Sequence, residues 1–160
     1  MKRILTISAL LAMALLASAQ EKKSFTTLRE IPIGQLMDVL DRALDQGYTV
    51  AWGGDVSGDF SRSGLASLPD DVVPTQELRQ QQWDSWDFTY DHVMLIYGKA
   101  VDENGKPYYM VKNSWGESGF YQGIWYMSRD YIVLNTTYLF LNRHALPSRL
   151  RKELTKTVWI

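Results

Sequence analysis

"YDHVMLIYGKAVDENGKPYYMVKNSWG", Tyr90 to Gly116, decides how this chain is read. Two strand-like runs, "HVMLIYGKAV" and "PYYMVKNSW", flank "DENGK", in which Asn104-Gly105 is a strong tight-turn signal. The stretch therefore predicts a β-hairpin with a His at the start of its first strand and an Asn at the end of its second. Positions equidistant from a hairpin turn face each other, and counted from Asn104-Gly105 the two side chains miss by about four residues. A bulge or ragged loop must absorb that offset, or His92 and Asn113 meet diagonally.

Working outward, "QLMDVLDRALDQG" from Gln35 places Leu36, Val39, Leu40, Ala43 and Leu44 at helical spacing, and Gly47 stops the helix. "YTVAWGG" follows as a compact strand, then "DVSGDFSRSGLASLPDDVVP" reads as a long loop. Thr75 can cap a polar helix, "QELRQQQWDSW". Beyond the hairpin, "GIWYMS" and "TTYLFLN" are further strands and "PSRLRKELTK" a short terminal helix. "FTTLREI" suits another strand near the N-terminus. No repeat or linker divides the chain, and the fold class is α+β, helices first and then an antiparallel sheet or partial barrel.

The first residues predict a targeting segment. Met1-Lys2-Arg3 is basic, "ILTISALLAMALLA" is uninterruptedly apolar, and "ASAQ" supplies the small residues of a cleavage site. The run is shorter than the roughly 20 residues that cross a bilayer. Residues 1–19 are expected to be a signal peptide and 20–160 one exported domain, at the periplasm, the surface or the medium. Removing Lys2 and Arg3 takes the 17 basic side chains to fifteen against 18 acidic ones, with no basic patch, which argues against nucleic acid. The chain has 0 Cys, so disulfides, thiol chemistry and Cys-bound metal are excluded within it. His92 and His144 are far apart without a metal-ligand pattern, so no metal and no cofactor are expected.

The chemistry-bearing candidates are His92, Asn113 and Trp115. A His acting as general base needs its other ring nitrogen held by an acceptor, and an Asn amide oxygen can fix that tautomer. Trp115 could cover the bond and exclude water. The plainer reading is a polar edge His and a turn Asn. Asp91 reads as a loop or cap carboxylate, and Asp70, Asp71, Asp84 and Asp87 as solvated. Trp83, Trp86, Tyr108, Tyr109, Tyr121, Trp125 and Tyr126 read as core and sheet-face packing. Asn135-Thr136-Thr137 fits a glycosylation sequon.

"GYTVAWGGDVS", "DHVMLIYG", "GKPYYMVKNSWG", "YQGIWYMS" and "NRHALP", in that order, resemble the C-terminal part of the aminopeptidase C/bleomycin hydrolase branch of papain-like cysteine peptidases. The resemblance covers nearly everything from Gly34 to about Leu154. It implies a catalytic His at His92, an orienting Asn at Asn113 and a shielding aromatic at Trp115. It implies a partial papain-like fold, mainly the β-barrel lobe with a leading helix and without most of the helical lobe. Val93 stands where the family commonly has Gly or Ala, adding two methyl groups close to the thiolate position. Between Ile31-Pro32 and "IGQLMDVLDRAL" the resemblance implies a missing middle, with the Cys nucleophile and the oxyanion glutamine. Ser57, Ser61 and Ser114 offer no substitute.

The activity implied is removal of N-terminal residues from peptides, with this chain inactive alone. The alternative is a non-catalytic peptide-binding or regulatory module that docks on a full-length paralogue. Expected partners are peptides, a Cys-bearing complementary half or paralogue, or further copies of the chain. An uncovered lobe face would drive any of these associations.

Overall fold

The computed structural model describes residues 31–57, 60 and 63–154; the leader segment and the "FTTLREI" strand lie outside the described residues. Helix α1, Ile33–Asp45, begins two residues earlier than its apolar spacing suggests. Pro32 at its N-cap has no side chain to accept from the first turn, and the amide of Gln76 does so instead, Oε1 lying 3.1 Å from Ile33 N. At the other end Gly47 takes φ 79°, which lets Gly47 N and Tyr48 N reach back to Leu44 O and Ala43 O at 3.0 Å each.

Six strands form one sheet in the order β2-β5-β4-β3-β1-β6. They are β1 Val50–Gly54, β2 Leu65–Ala66, β3 His92–Val101, β4 Pro107–Lys112, β5 Ile124–Ser128 and β6 Thr136–Phe140. All pairings are antiparallel except β2 beside β5. Strand β2 lies inside the stretch expected to be pure loop. Its two residues satisfy the outer edge of β5, an edge the local sequence does not advertise.

Helix α2, Gln76–Asp84, is capped as expected by Thr75, whose hydroxyl accepts from Leu78 N at 3.1 Å. It ends before Trp86, which turns into the left-handed region at φ 63°. Helix α3, Arg129–Asn135, was not foreseen: its apolar run "YIVL" is buried all round, so it lacks the one-sided spacing that marks a surface helix. The local signal is Ser128, whose hydroxyl accepts from Tyr131 N at 3.1 Å. A 3-10 turn, Arg143–Ala145, and helix α4, Ser148–Leu154, follow β6.

The hairpin forms, with a different loop from the one expected. Asp102 N donates to Lys106 O at 3.0 Å, and Gly105, at φ 81°, donates to Asp102 O. Glu103, Asn104 and Gly105 are thus the loop, in place of a two-residue turn. The Asp102 carboxylate braces it, accepting from Asn104 N at 2.9 Å and Lys106 N at 2.8 Å. Further along, Ile96 pairs with Val111 and Gly98 with Met110, leaving Tyr97 as a bulge. Loop and bulge each absorb part of the offset, and His92 ends diagonally across from Asn113.

One sheet face is the core. Leu36, Met37, Leu40 and Ala43 of α1 pack with Val50, Trp52, Met94, Ile96, Tyr109, Val111, Trp125 and Met127, and with Tyr131 to Leu134 of α3. The other face is apolar, and no element among the described residues covers it. Val93, Leu95, Tyr97 and Phe140 are 47, 40, 36 and 45% exposed. Among the sequence-picked aromatics Tyr109 and Trp125 are core, whereas Trp83, Trp86 and Tyr121 are exposed, correcting the packing read for those three. No helix among the described residues is long and apolar enough to cross a membrane.

At the end of the core away from His92, Tyr109 donates to Asp41 Oδ1 at 2.7 Å, and Arg129 Nη1 donates to Tyr109 Oη at 2.9 Å and to Asp41 Oδ2 at 2.5 Å. Burial first, and the bond to Asp41 second, push the Tyr109 phenol well above its usual range. A phenol raised in the folded state gives stability that is full below about pH 10 and lost as pH rises toward the folded value. Tyr138, desolvated and bonded to the hydroxyl of Tyr90, is pushed up to about 12 and adds to the same alkaline loss. Tyr109→Phe should lower unfolding free energy by about 1–3 kcal/mol at neutral pH. Urea titrations across pH 9 to about 12 should show a shallower alkaline decline in the variant. An unchanged slope would remove Tyr109 from this account.

Candidate functional site

His92 is the first residue of β3 and pairs with Gly54, the last of β1. Its imidazole shares the buried-face parity of Met94 and Ile96 and sits half-buried at the sheet's end. Asn113 follows directly after β4 and is 3% exposed. His92 Nε2 lies 2.9 Å from Asn113 Oδ1, and the same oxygen accepts from Ser114 N at 2.7 Å. An amide oxygen can only accept, so Nε2 carries a proton, and in the neutral ring the lone pair is on Nδ1. The diagonal meeting thus fixes one ring nitrogen and leaves the other, in the neutral ring, as the basic one.

The loop after β4 folds back to hold this arrangement. Asn113 N donates to Gly123 O at 3.2 Å, and Gly123 N to Ser118 O at 2.7 Å. Gly123 takes φ 81°, and a Cβ there would lie 1.8 Å from Gly116 O, so no side chain fits. Trp115 is 46% exposed with its ring centroid 5.2 Å from that of His92. It stands edge-on to Trp125 at 5.6 Å and to Phe60 at 6.1 Å, and these two stack on each other at 5.5 Å. The indole is propped over the imidazole by core aromatics.

Other sequence candidates fall elsewhere. Val93 projects to the exposed sheet face, opposite in parity to His92, so its methyl groups do not crowd the basic nitrogen from the buried side. Asp91 is exposed, and its Oδ1 accepts from Val56 N at 3.0 Å, in keeping with a loop carboxylate. Ser57 gives its hydroxyl to Asp55, Ser114 is exposed, and Ser61 lies outside the described residues. Asp84 and Asp87 take part in local contacts with Gln80 and Ser85, and His144 is exposed. Asn135 uses its side-chain amide to donate to Tyr131 O at 3.1 Å. Among the described residues no group of three or more His, Asp and Glu is placed to hold a metal.

Two features escaped the sequence reading. Asp55, 3% exposed at the end of β1, is a buried carboxylate adjoining the Gly54–His92 pair. Its signal was its place directly after a strand, before Ser57. Asn113 Nδ2 is buried and has no acceptor among the described residues, which leaves a donor beside the imidazole.

Comparisons with known proteins bear on the family and the fold. Residues 10–159 match the Peptidase C1-like family. The aminopeptidase C of Lactobacillus helveticus is 24% identical over 131 residues, 76% of this chain and 29% of the relative. The chain therefore spans under a third of that curated relative's length. Among solved structures, PepW from Lactobacillus rhamnosis HN001 superposes with a TM-score of 0.63 at 20% identity, over 79% of this chain and 30% of that one. The procathepsin L2 proteinase of Tenebrio molitor larval midgut gives 0.44 at 22% identity, over 69% and 31%.

Asn113→Ala removes the acceptor for both His92 Nε2 and Ser114 N. The variant should lose about 1–3 kcal/mol of stability in thermal or urea unfolding. Its His92 ring, observed by nitrogen NMR, should become a mixture of tautomers. A variant that keeps a single Nε2-protonated ring would show that Asn113 does not hold it.

Proposed function

The chain belongs to the Peptidase C1-like family, as the C-terminal part of a papain-like peptidase related to aminopeptidase C, and from that premise we propose that it is the base-bearing half of a thiol aminopeptidase site. The observation that carries the reading is the 2.9 Å bond between His92 Nε2 and Asn113 Oδ1 under Trp115, on a chain with 0 Cys. His92 Nδ1 is the group that would take a proton from a cysteine thiol. The resulting thiolate attacks the carbonyl of a peptide's first residue, and the imidazolium returns the proton to the leaving amine. Water then releases the acyl group with His92 again as base. The thiol is not in this chain, so on its own it does not cleave peptides.

A second reading is favoured by the uncovered sheet face. Strand β3 is apolar on both sides, yet Val93, Leu95 and Tyr97 face solvent. Strands apolar on both faces are ordinarily covered on both. On this reading the chain is a non-catalytic module that docks on a cysteine-bearing paralogue or on a further copy of itself. Export through the N-terminal segment belongs to either reading.

Purified chain should release no fluorophore from an aminoacyl fluorogenic substrate. Adding a separately produced cysteine-bearing segment of an aminopeptidase C relative should restore hydrolysis, and His92→Ala should abolish it by at least about a hundredfold. Hydrolysis by the chain alone, lost in His92→Ala, would overturn its inactivity. Binding of the segment with no effect of His92→Ala would favour the docking reading.

A further inference from the structure

His92 is the last residue of β3 to pair with β1, and the β3–β4 ladder begins only at Leu95, so His92 is held by a sheet neighbour on one side. Two carboxylates take over there. Asp55 Oδ2 accepts from Thr89 N at 2.7 Å and from the Thr89 hydroxyl at 3.2 Å. Its Oδ1 accepts from Ser57 N at 2.7 Å and from the Ser57 hydroxyl. From the other side Asp91 N donates to Gly54 O at 3.4 Å, and Asp91 Oδ1 accepts from Val56 N at 3.0 Å. Each carboxylate thus crosses to the opposite segment, Asp55 to the residues before β3 and Asp91 to the residues after β1. Both crossings lie immediately beyond the Gly54–His92 pair that ends the β1–β3 ladder.

We infer that Asp55 and Asp91 form a reciprocal clasp that positions His92, holding its backbone where the imidazole can meet Asn113. The inference rests on the reading of His92 as the base. Asn113 is the residue after β4, so their 2.9 Å bond tolerates little movement of either backbone. Asp55 is itself anchored from α3: its N donates to Asn135 O at 3.0 Å, and its O accepts from Tyr131 Oη at 3.1 Å. The clasp therefore ties the imidazole to a buried helix and not to the sheet end alone. Charge-assisted bonds to backbone N–H groups are among the stronger ones available for this purpose. Neither residue touches the reacting atoms; both act through His92.

The test is the tautomer of His92 in the full chain, read from ring-nitrogen shifts at a pH where the ring is neutral. Asp91→Ala, a surface change, should raise the Nδ1-protonated fraction about tenfold, the equivalent of one weakened hydrogen bond. Asp55→Asn turns an amide NH2 toward donors and should raise it further. Asp102→Ala removes the same kind of carboxylate-to-backbone brace at the far end of the hairpin, and it should lower the melting temperature while leaving the tautomer unchanged. If Asp55→Asn does not fold, Asp91→Ala decides. A wild-type tautomer in folded Asp91→Ala would overturn the clasp. The measurement needs no nucleophile: restored hydrolysis without a tautomer shift sinks the clasp alone, and a shift without complementation sinks the peptidase reading alone.

Discussion

Strand β3 pairs with β1 on one side and β4 on the other, and its register determines which side chains face the core. A slip of one residue would turn Met94 and Ile96 to solvent, bring Val93 and Leu95 inward and carry His92 to the wrong face. That register is fixed by the bulge at Tyr97, by the loop braced by Asp102, and by the packing of α1 and α3 on the buried face. The His92–Asn113 corner is a consequence of it, because His92 begins β3 and Asn113 follows β4, and they meet only when both the bulge and the three-residue loop are in place.

Much of this arrangement was legible in the residues. Helix α1, the hairpin, β5 and β6 all announce themselves by period and punctuation, and Gly47 and Thr75 terminate and start helices for the reasons their chemistry supplies. Less legible was whatever depends on tertiary company. Helix α3 is buried all round and shows no amphipathic stripe. Strand β2 exists only because β5 has an edge to fill. Trp86 and Tyr121 are aromatic, which a sequence reader takes for core, yet they stand in solvent.

The site was legible to a similar degree. Spacing alone brought His92 and Asn113 into range, but deciding between a direct and a diagonal meeting needed the bulge, which no local signal places. Asp55 was invisible because nothing in "GGDVS" says the carboxylate is buried. Its importance comes from Thr89, far along the chain, whose N–H it accepts. The donor at Asn113 Nδ2, without an acceptor among the described residues, was likewise unreadable, since it is a property of what surrounds the amide and not of the amide itself.

The one-sided sheet has a thermodynamic consequence. Heat capacity of unfolding and denaturant sensitivity both scale with the surface exposed on unfolding, chiefly apolar surface for the first. A domain that leaves Val93, Leu95, Tyr97 and Phe140 in water has already exposed part of what a closed domain would hide. A smaller change in apolar exposure on unfolding gives a flatter stability curve. Covering the face would steepen it, so the curvature measured by calorimetry reports how much of the sheet is covered.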